Sequence, residues 1–131
     1  MKPACILVLF AMPLMSTPLF DLLDLGSLGG ANASAYGLSP SGVAVGSATD
    51  AFGNMRAVTF AGGAQALAST AITAMAWDVN GAGVIAGAEY HDGESYATRW
   101  INGGSQTMGG AGSYATGINE LFAVGIRRRV R

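Results

Sequence analysis

The sequence predicts an all-β protein of antiparallel sheets, one sheet per repeat of about 40 residues. Three observations predict it. The first is an internal repeat, which names an architecture before any single motif does. Aligned on alanine, Ala35-Tyr-Gly-Leu-Ser-Pro-Ser-Gly-Val-Ala-Val-Gly46 matches Ala76-Trp-Asp-Val-Asn-Gly-Ala-Gly-Val-Ile-Ala-Gly87 at an offset of 41. Ala115-Thr-Gly-Ile-Asn-Glu-Leu-Phe-Ala-Val-Gly125 follows after a further 39. The second is a block that repeats in the same order: Gly53–Phe60 matches Gly93–Trp100 at an offset of 40, and Gly62-Gly63 recurs as Gly103-Gly104. Gly29-Gly30 recurs likewise as Gly109-Gly110. The third is composition. Glycine makes up 20 of 131 residues, with β-branched and aromatic residues between the glycines, which disfavours helix. Four short strands in such a period have the size of a propeller blade. The expected array is incomplete and propeller-like, of about two and a half blades, with units at 19–63, 64–104 and 105–126.

Residues 1–17 read as a signal peptide. Lys2 supplies a charge, and Ala4 to Met15 is an apolar run of 12 residues broken by Pro13. That run is too short to span a bilayer and suits a signal-peptide core. A cleavable leader would take the single cysteine, Cys5, with it. A disulfide framework is then excluded, and packing must stabilise the mature chain. The mature chain is expected to carry no transmembrane segment.

Each element then follows from its punctuation. Leu19 to Leu25 reads as the first mature strand, entering a turn at Gly26–Gly30. Ala33 to Leu38 and Val43 to Ala48 read as strands joined by the Ser39-Pro-Ser-Gly42 turn. Asp50 to Asn54 is a hairpin tip, and Met55 to Phe60 the next strand. Ala64 to Ser69 is a weaker strand, placed at the start of the second unit. In that unit Ile72 to Asn80, the Asn80-Gly-Ala-Gly83 turn, Gly83 to Tyr90 and Ser95 to Ile101 repeat the pattern. Asp92-Gly93 is a two-residue hairpin signal. The third unit shows Tyr114 to Ile118 and Leu121 to Ile126, then a basic tail at 127–131.

At these residues a family resemblance emerges. Asp24-Leu-Gly-Ser-Leu-Gly-Gly30, the Gly-Leu-Ser or Gly-Ile-Asn turn, the Gly-x-Val-x-Val-Gly run and the Ala-x-x-aromatic block together resemble the bacterial extracellular HAF-type repeat, named for its His-Ala-Phe signature. That signature falls on Arg56-Ala57-Val58 and Tyr96-Ala97-Thr98, where two of its three letters depart. The third unit also lacks the glycine expected near Phe122. The resemblance spans roughly residues 19 to 126 and implies secretion and a propeller-like all-β fold. It implies no particular activity.

Charge and motifs exclude several classes. Residues 18–126 carry Arg56 and Arg99 against eight acids, a net of −6, while the last five residues add +4. An acidic body does not suit nucleic acid, which wants a basic face. His91 is the only histidine and no Gly-x-Ser-x-Gly elbow occurs, so a hydrolase lacks its base and nucleophile pair. No Lys-Ser/Thr follows the Gly-Gly pairs, which removes a phosphate loop. Glu89, His91, Asp92 and Glu94 crowd one hairpin tip and are chemically able to hold Ca²⁺ or Zn²⁺. The sister tip, Asp50-Ala-Phe-Gly53, lacks that set, so a solvated turn without metal is expected. Tyr36, Trp77, Tyr90, Tyr96, Trp100 and Tyr114 could stack on sugars. Phe60/Trp100 and Tyr36/Trp77 recur at the repeat period and are expected in the core, with Tyr90 and Tyr96 exposed. The arginine tail could meet anionic lipid or polysaccharide.

The reading is therefore a secreted or cell-surface structural and interaction module, with no catalytic, metal, cofactor or ligand-binding residue assigned. Its expected partners are a second copy meeting an open sheet edge or a cell-surface polymer. The alternatives are a carbohydrate-binding or enzyme-associated propeller module, or a truncated fragment of a longer repeat protein.

Overall fold

The computed structural model of the chain describes residues 20–128. The expected signal peptide and residues 129–131 of the basic tail lie outside the described residues. Ten strands are described: β1 (Gly29–Leu38), β2 (Ala44–Asp50), β3 (Met55–Phe60), β4 (Ala64–Ala66), β5 (Thr73–Val79), β6 (Ile85–His91), β7 (Glu94–Ile101), β8 (Gly104–Thr107), β9 (Ser113–Ile118) and β10 (Ala123–Arg127). They form three antiparallel sheets, ordered β1-β2-β3-β4, β5-β6-β7-β8 and β10-β9. There is no helix among the described residues, and the strand pairing closes no barrel.

The repeated glycines have one physical cause. Gly46, Gly87 and Gly125 lie opposite Ala35, Ala76 and Ala115 in the three ladders. In each ladder a β-bulge follows, and one residue of the inner strand (Tyr36, Trp77 or Thr116) has no opposite number. Such a bulge bends and twists its strand, bringing it close to its neighbour. A Cβ on Gly87 would run into the Met75 carbonyl and lie 2.9 Å from Ala76 Cα. Only glycine fits there.

The turns repeat as well. Ser39 Oγ accepts the Val43 N–H at 3.0 Å, and Asn80 Oδ1 accepts the Val84 N–H at 2.8 Å. Asn119 Oδ1 accepts the Phe122 N–H at 2.7 Å. These residues bond the backbone a few positions on, as turn-forming Ser and Asn do. The Ser/Asn position of the repeat is thus a turn cap. The third turn is one residue shorter, which is why no glycine stands near Phe122.

The sheets stack in chain order. Val45 and Ala57 of the first sheet bury against Ala74, Ala76, Ile85 and Trp100 of the second. The far face of the second, through Ala86 and Ala97, meets Ala115 and Ile118 of the third. The outer face of the first sheet, with Val58 and Phe60, is covered by Leu25 and Leu28. Alanine dominates these contacts, so large side chains such as Trp100 supply much of the buried area.

Four expectations are corrected. Leu19 to Leu25 forms no strand within its described residues. Asp24 Oδ1 accepts the Gly26 N–H at 2.8 Å, and Gly26 turns to a φ of 79°. The segment therefore kinks and lays Leu25 on the sheet face instead of pairing. Ala64 to Ser69 does not open the second unit. Its first part is β4, which pairs with β3, because Gly62 and Gly63 make a hairpin turn with φ of 76° and 130°. The corresponding turn at Asn102-Gly103 returns β8 onto β7. The sheets therefore divide at 67–72 and 108–112. Finally, the third sheet does not stop at Ile126. Arg127 pairs with Ser113, and the Arg128 N–H bonds the Gly112 carbonyl at 2.8 Å. The fourth correction concerns the aromatics and is given with the site.

Candidate functional site

Two straps connect the sheets, and the first holds the buried carboxylate of the fold. The first runs from Leu67 to Ile72. Its Leu67 N–H bonds the Ala57 carbonyl at 2.8 Å, and the Met108 N–H of the second strap bonds the Ala97 carbonyl at 2.7 Å. The first strap is also pinned by the indole of Trp100, which donates to the Ala68 carbonyl at 2.7 Å. Both β7 and β6 thus reach the strap, because the next polar contact comes from β6.

That contact is Glu89. Its side chain points into the protein at 2% exposure. The carboxylate accepts the Thr70 N–H and the Thr70 hydroxyl, each at 3.3 Å, and lies 3.5 Å from His91 Nε2. Burial pushes its carboxyl up, but hydrogen bonds from Ser69, Ser105, His91 and the Thr70 N–H outweigh burial and hold it below the ordinary value of 4.5. A buried charge needs such partners. Glu89 is a structural anchor that fastens the strap to the second sheet.

The other two acids of the tip do not converge with it. Asp92 and Glu94 are exposed, with Asp92 at a φ of 51° in the hairpin turn. His91 lies between, its ring 5.8 Å from that of Tyr96 and edge-on. The sister tip is built differently. Asp50 Oδ1 accepts the Phe52 and Asn54 N–H groups, each at 2.9 Å. Burial pushes the Asp50 carboxyl up, and these bonds with the Arg56 charge outweigh it and lower it.

The aromatics give the fourth correction. Phe60 and Trp100 are buried as expected, but Tyr36 is 50% exposed. Tyr90 and Tyr96, expected to be exposed, are half-buried. Trp77 is half-buried, with its ring 5.6 Å from that of Tyr114 on the third sheet. The reason is the bulge: Tyr36 and Trp77 are its extra residues, and an extra residue faces outward unless another sheet covers it. Burial and the nearby Tyr114 push the Tyr90 phenol up.

Sequence reasoning missed Asp78. Its Oδ2 accepts the Ile118 N–H at 2.9 Å, tying the second sheet to the third. Beside it the Glu120 carboxylate accepts the Gly81 N–H at 2.7 Å, and Asn80 Nδ2 donates to the Asn119 carbonyl at 3.2 Å. A signal was present. Asp78 stands where the sister units have Gly37 and Gly117, just as Glu89 stands where they have Ala48 and Arg127.

The third sheet leaves much apolar surface in the open. All of β10 is exposed, with Val124 at 67% and Ile126 at 54%. Leu121 and Phe122 are exposed beside it. A groove of about 430 Å³ lies beneath β10, bounded by Met108, Gly109 and Ala97 on the second-sheet side. Among the described residues the outer edge of β10 pairs with no strand. No helix there is long and apolar enough to cross a membrane. No family model, no curated protein and no solved structure matches this chain.

Proposed function

We propose that the chain is a secreted or cell-surface repeat protein of the HAF-type kind. On this reading it is a non-enzymatic structural and interaction module, and its sheets are consecutive blades of a propeller-like array. The observation that carries this reading is the bare edge and apolar surface of β10 beside two finished sheets. The other two sheets bond a further strand at that edge, β3 on β2 and β7 on β6. Recurrence of the same bulge, glycine and turn cap supports consecutive units. So does the lie of the inner strands, with β5 packed on β1 and β9 packed on β5. The polar residues that chemistry would need are already engaged in holding sheets together: Glu89 on Thr70, and Asp78 on Ile118.

An unpaired sheet edge recruits another strand, and repeats bury their apolar faces against neighbours. The test is size-exclusion chromatography with light scattering over a wide concentration range. Mass should rise with concentration. A monodisperse monomer that resists proteolysis would overturn the reading. Export is tested separately, by N-terminal sequencing of the exported protein, which should lack its first 17 or so residues.

A further inference from the structure

We propose that the groove beneath β10 is a docking site for one kind of partner, an extended strand of the Ala-x-x-aromatic type found at Gly93–Trp100. The inference rests on the reading of the chain as an interaction module and names what that module takes.

The second sheet shows the bound arrangement. β7 lies beside β6 with Trp100 opposite Ile85, Thr98 opposite Gly87 and Tyr96 opposite Glu89. Its indole then crosses to the first strap and donates to the Ala68 carbonyl. The strap and the bulge glycine of that receptor recur one unit later, with Arg127 in the place of Glu89. Gly125 occupies the place of Gly87, so Ala123 occupies that of Ile85. Met108 occupies the place of Leu67 and makes the same strap hydrogen bond. Gly109 then occupies the place of Ala68, and it lines the groove together with Met108 and Ala123. What differs at the strap is the occupant. Leu67 packs against a cluster containing Trp100, whereas Met108 faces the groove.

An incoming strand would pair along β10 with its aromatic residue opposite Ala123. An indole there would donate to the Gly109 carbonyl. Main-chain bonds supply affinity in such strand addition, and the pocketed side chain supplies selectivity. The exposed Ala123 is small, so the groove admits a large ring without a competing side chain.

The test uses a fluorescein-labelled peptide of residues 93–107, which carries β7 and β8, titrated into the purified chain and followed by anisotropy. Saturable binding is expected. The same peptide with Trp100→Ala should bind at least about 20-fold more weakly, as buried aromatic anchors dominate such contacts. Ala123→Arg in the protein should weaken binding similarly. Hydrogen exchange on the unmutated protein gives a second readout, with added protection of β10 amides on peptide binding. No saturable binding, equal binding of the Trp100→Ala peptide, or protection outside β10 would overturn the proposal. Peptide binding to a chain that stays monomeric would keep the groove and remove self-assembly. Self-assembly that saturating peptide leaves untouched would remove the groove and keep the assembly.

Discussion

The Asp78 carboxylate, on β5, accepts the backbone N–H of Ile118, on β9, at 2.9 Å. It is a charged acceptor for an amide at the end of a strand that, among the described residues, pairs with β10 alone. Asp78→Ala should therefore loosen the third sheet, at a cost of about 1–2 kcal/mol. Hydrogen exchange is the measurement: the Ile118 amide should exchange faster, while β2 and β3 amides keep their protection. Uniform acceleration across all three sheets would show that the bond serves global stability instead.

Trp100 separates packing from hydrogen bonding. Trp100→Ala should cost about 3–5 kcal/mol, since it empties a site in the main core. Trp100→Phe keeps most of the ring, leaves the Ala68 carbonyl unbonded, and should cost about 1–2 kcal/mol. Urea unfolding of the two variants checks the order. A Trp100→Phe variant as stable as wild type would mean that the strap bond contributes nothing, and equal losses would mean that it carries the whole effect.

Gly87 is predicted to be intolerant for steric reasons. Gly87→Ala places a methyl group against the Met75 carbonyl and Ala76 Cα, and should cost about 3 kcal/mol. Gly53→Ala is the control, because a Cβ there meets nothing within 4 Å and only the φ of 85° is strained. It should cost about 1 kcal/mol. A reversal of that order in thermal unfolding would argue against the close approach at the bulge.

Acid should destabilise the fold through two named carboxyls. The fold holds both Glu89 and Asp50 below their ordinary values. The folded state then binds fewer protons than the unfolded state at mildly acidic pH. Their contribution is complete above the unfolded values of about 4 and is lost as pH falls through the lowered folded values. Urea unfolding from pH 7 to pH 3, both roughly bracketing the unfolded values, measures the slope. Glu89→Gln should flatten part of it and Asp50→Asn the rest. A Glu89→Gln curve parallel to wild type would exclude Glu89 as a contributor.

Much of the fold was legible because the repeat is chemical as well as alphabetic. Met55 to Phe60 is a strand with the expected limits, and the Ser39 and Asn80 turns fall where the punctuation placed them. What the sequence hid were decisions made by tertiary contact. Leu19 to Leu25 and Ala64 to Ser69 both read as strands, yet of the described residues of the first only Leu25 packs on a sheet face, while the start of the second pairs with an edge. The difference lies in the Gly62-Gly63 turn and the Asp24 side-chain bond to Gly26, and neither leaves a periodicity. Asp78 and Glu89 were legible only as departures from their sister units. Their roles depend on Ile118 and Thr70, which lie 40 and 19 residues away in the chain.

The recurring bulge also divides labour along the inner strand. Gly46, Gly87 and Gly125 are bound by sterics to remain as they are, but the unpaired residue beside them is not. Tyr36, Trp77 and Thr116 share that place but differ in size and polarity. Each is at least partly at the surface, and none carries the ladder. A sheet can therefore exchange that one side chain for almost any other without renegotiating its register. Such an architecture keeps one free letter per unit, and an array of units becomes a row of independently written surface letters on an unchanging frame.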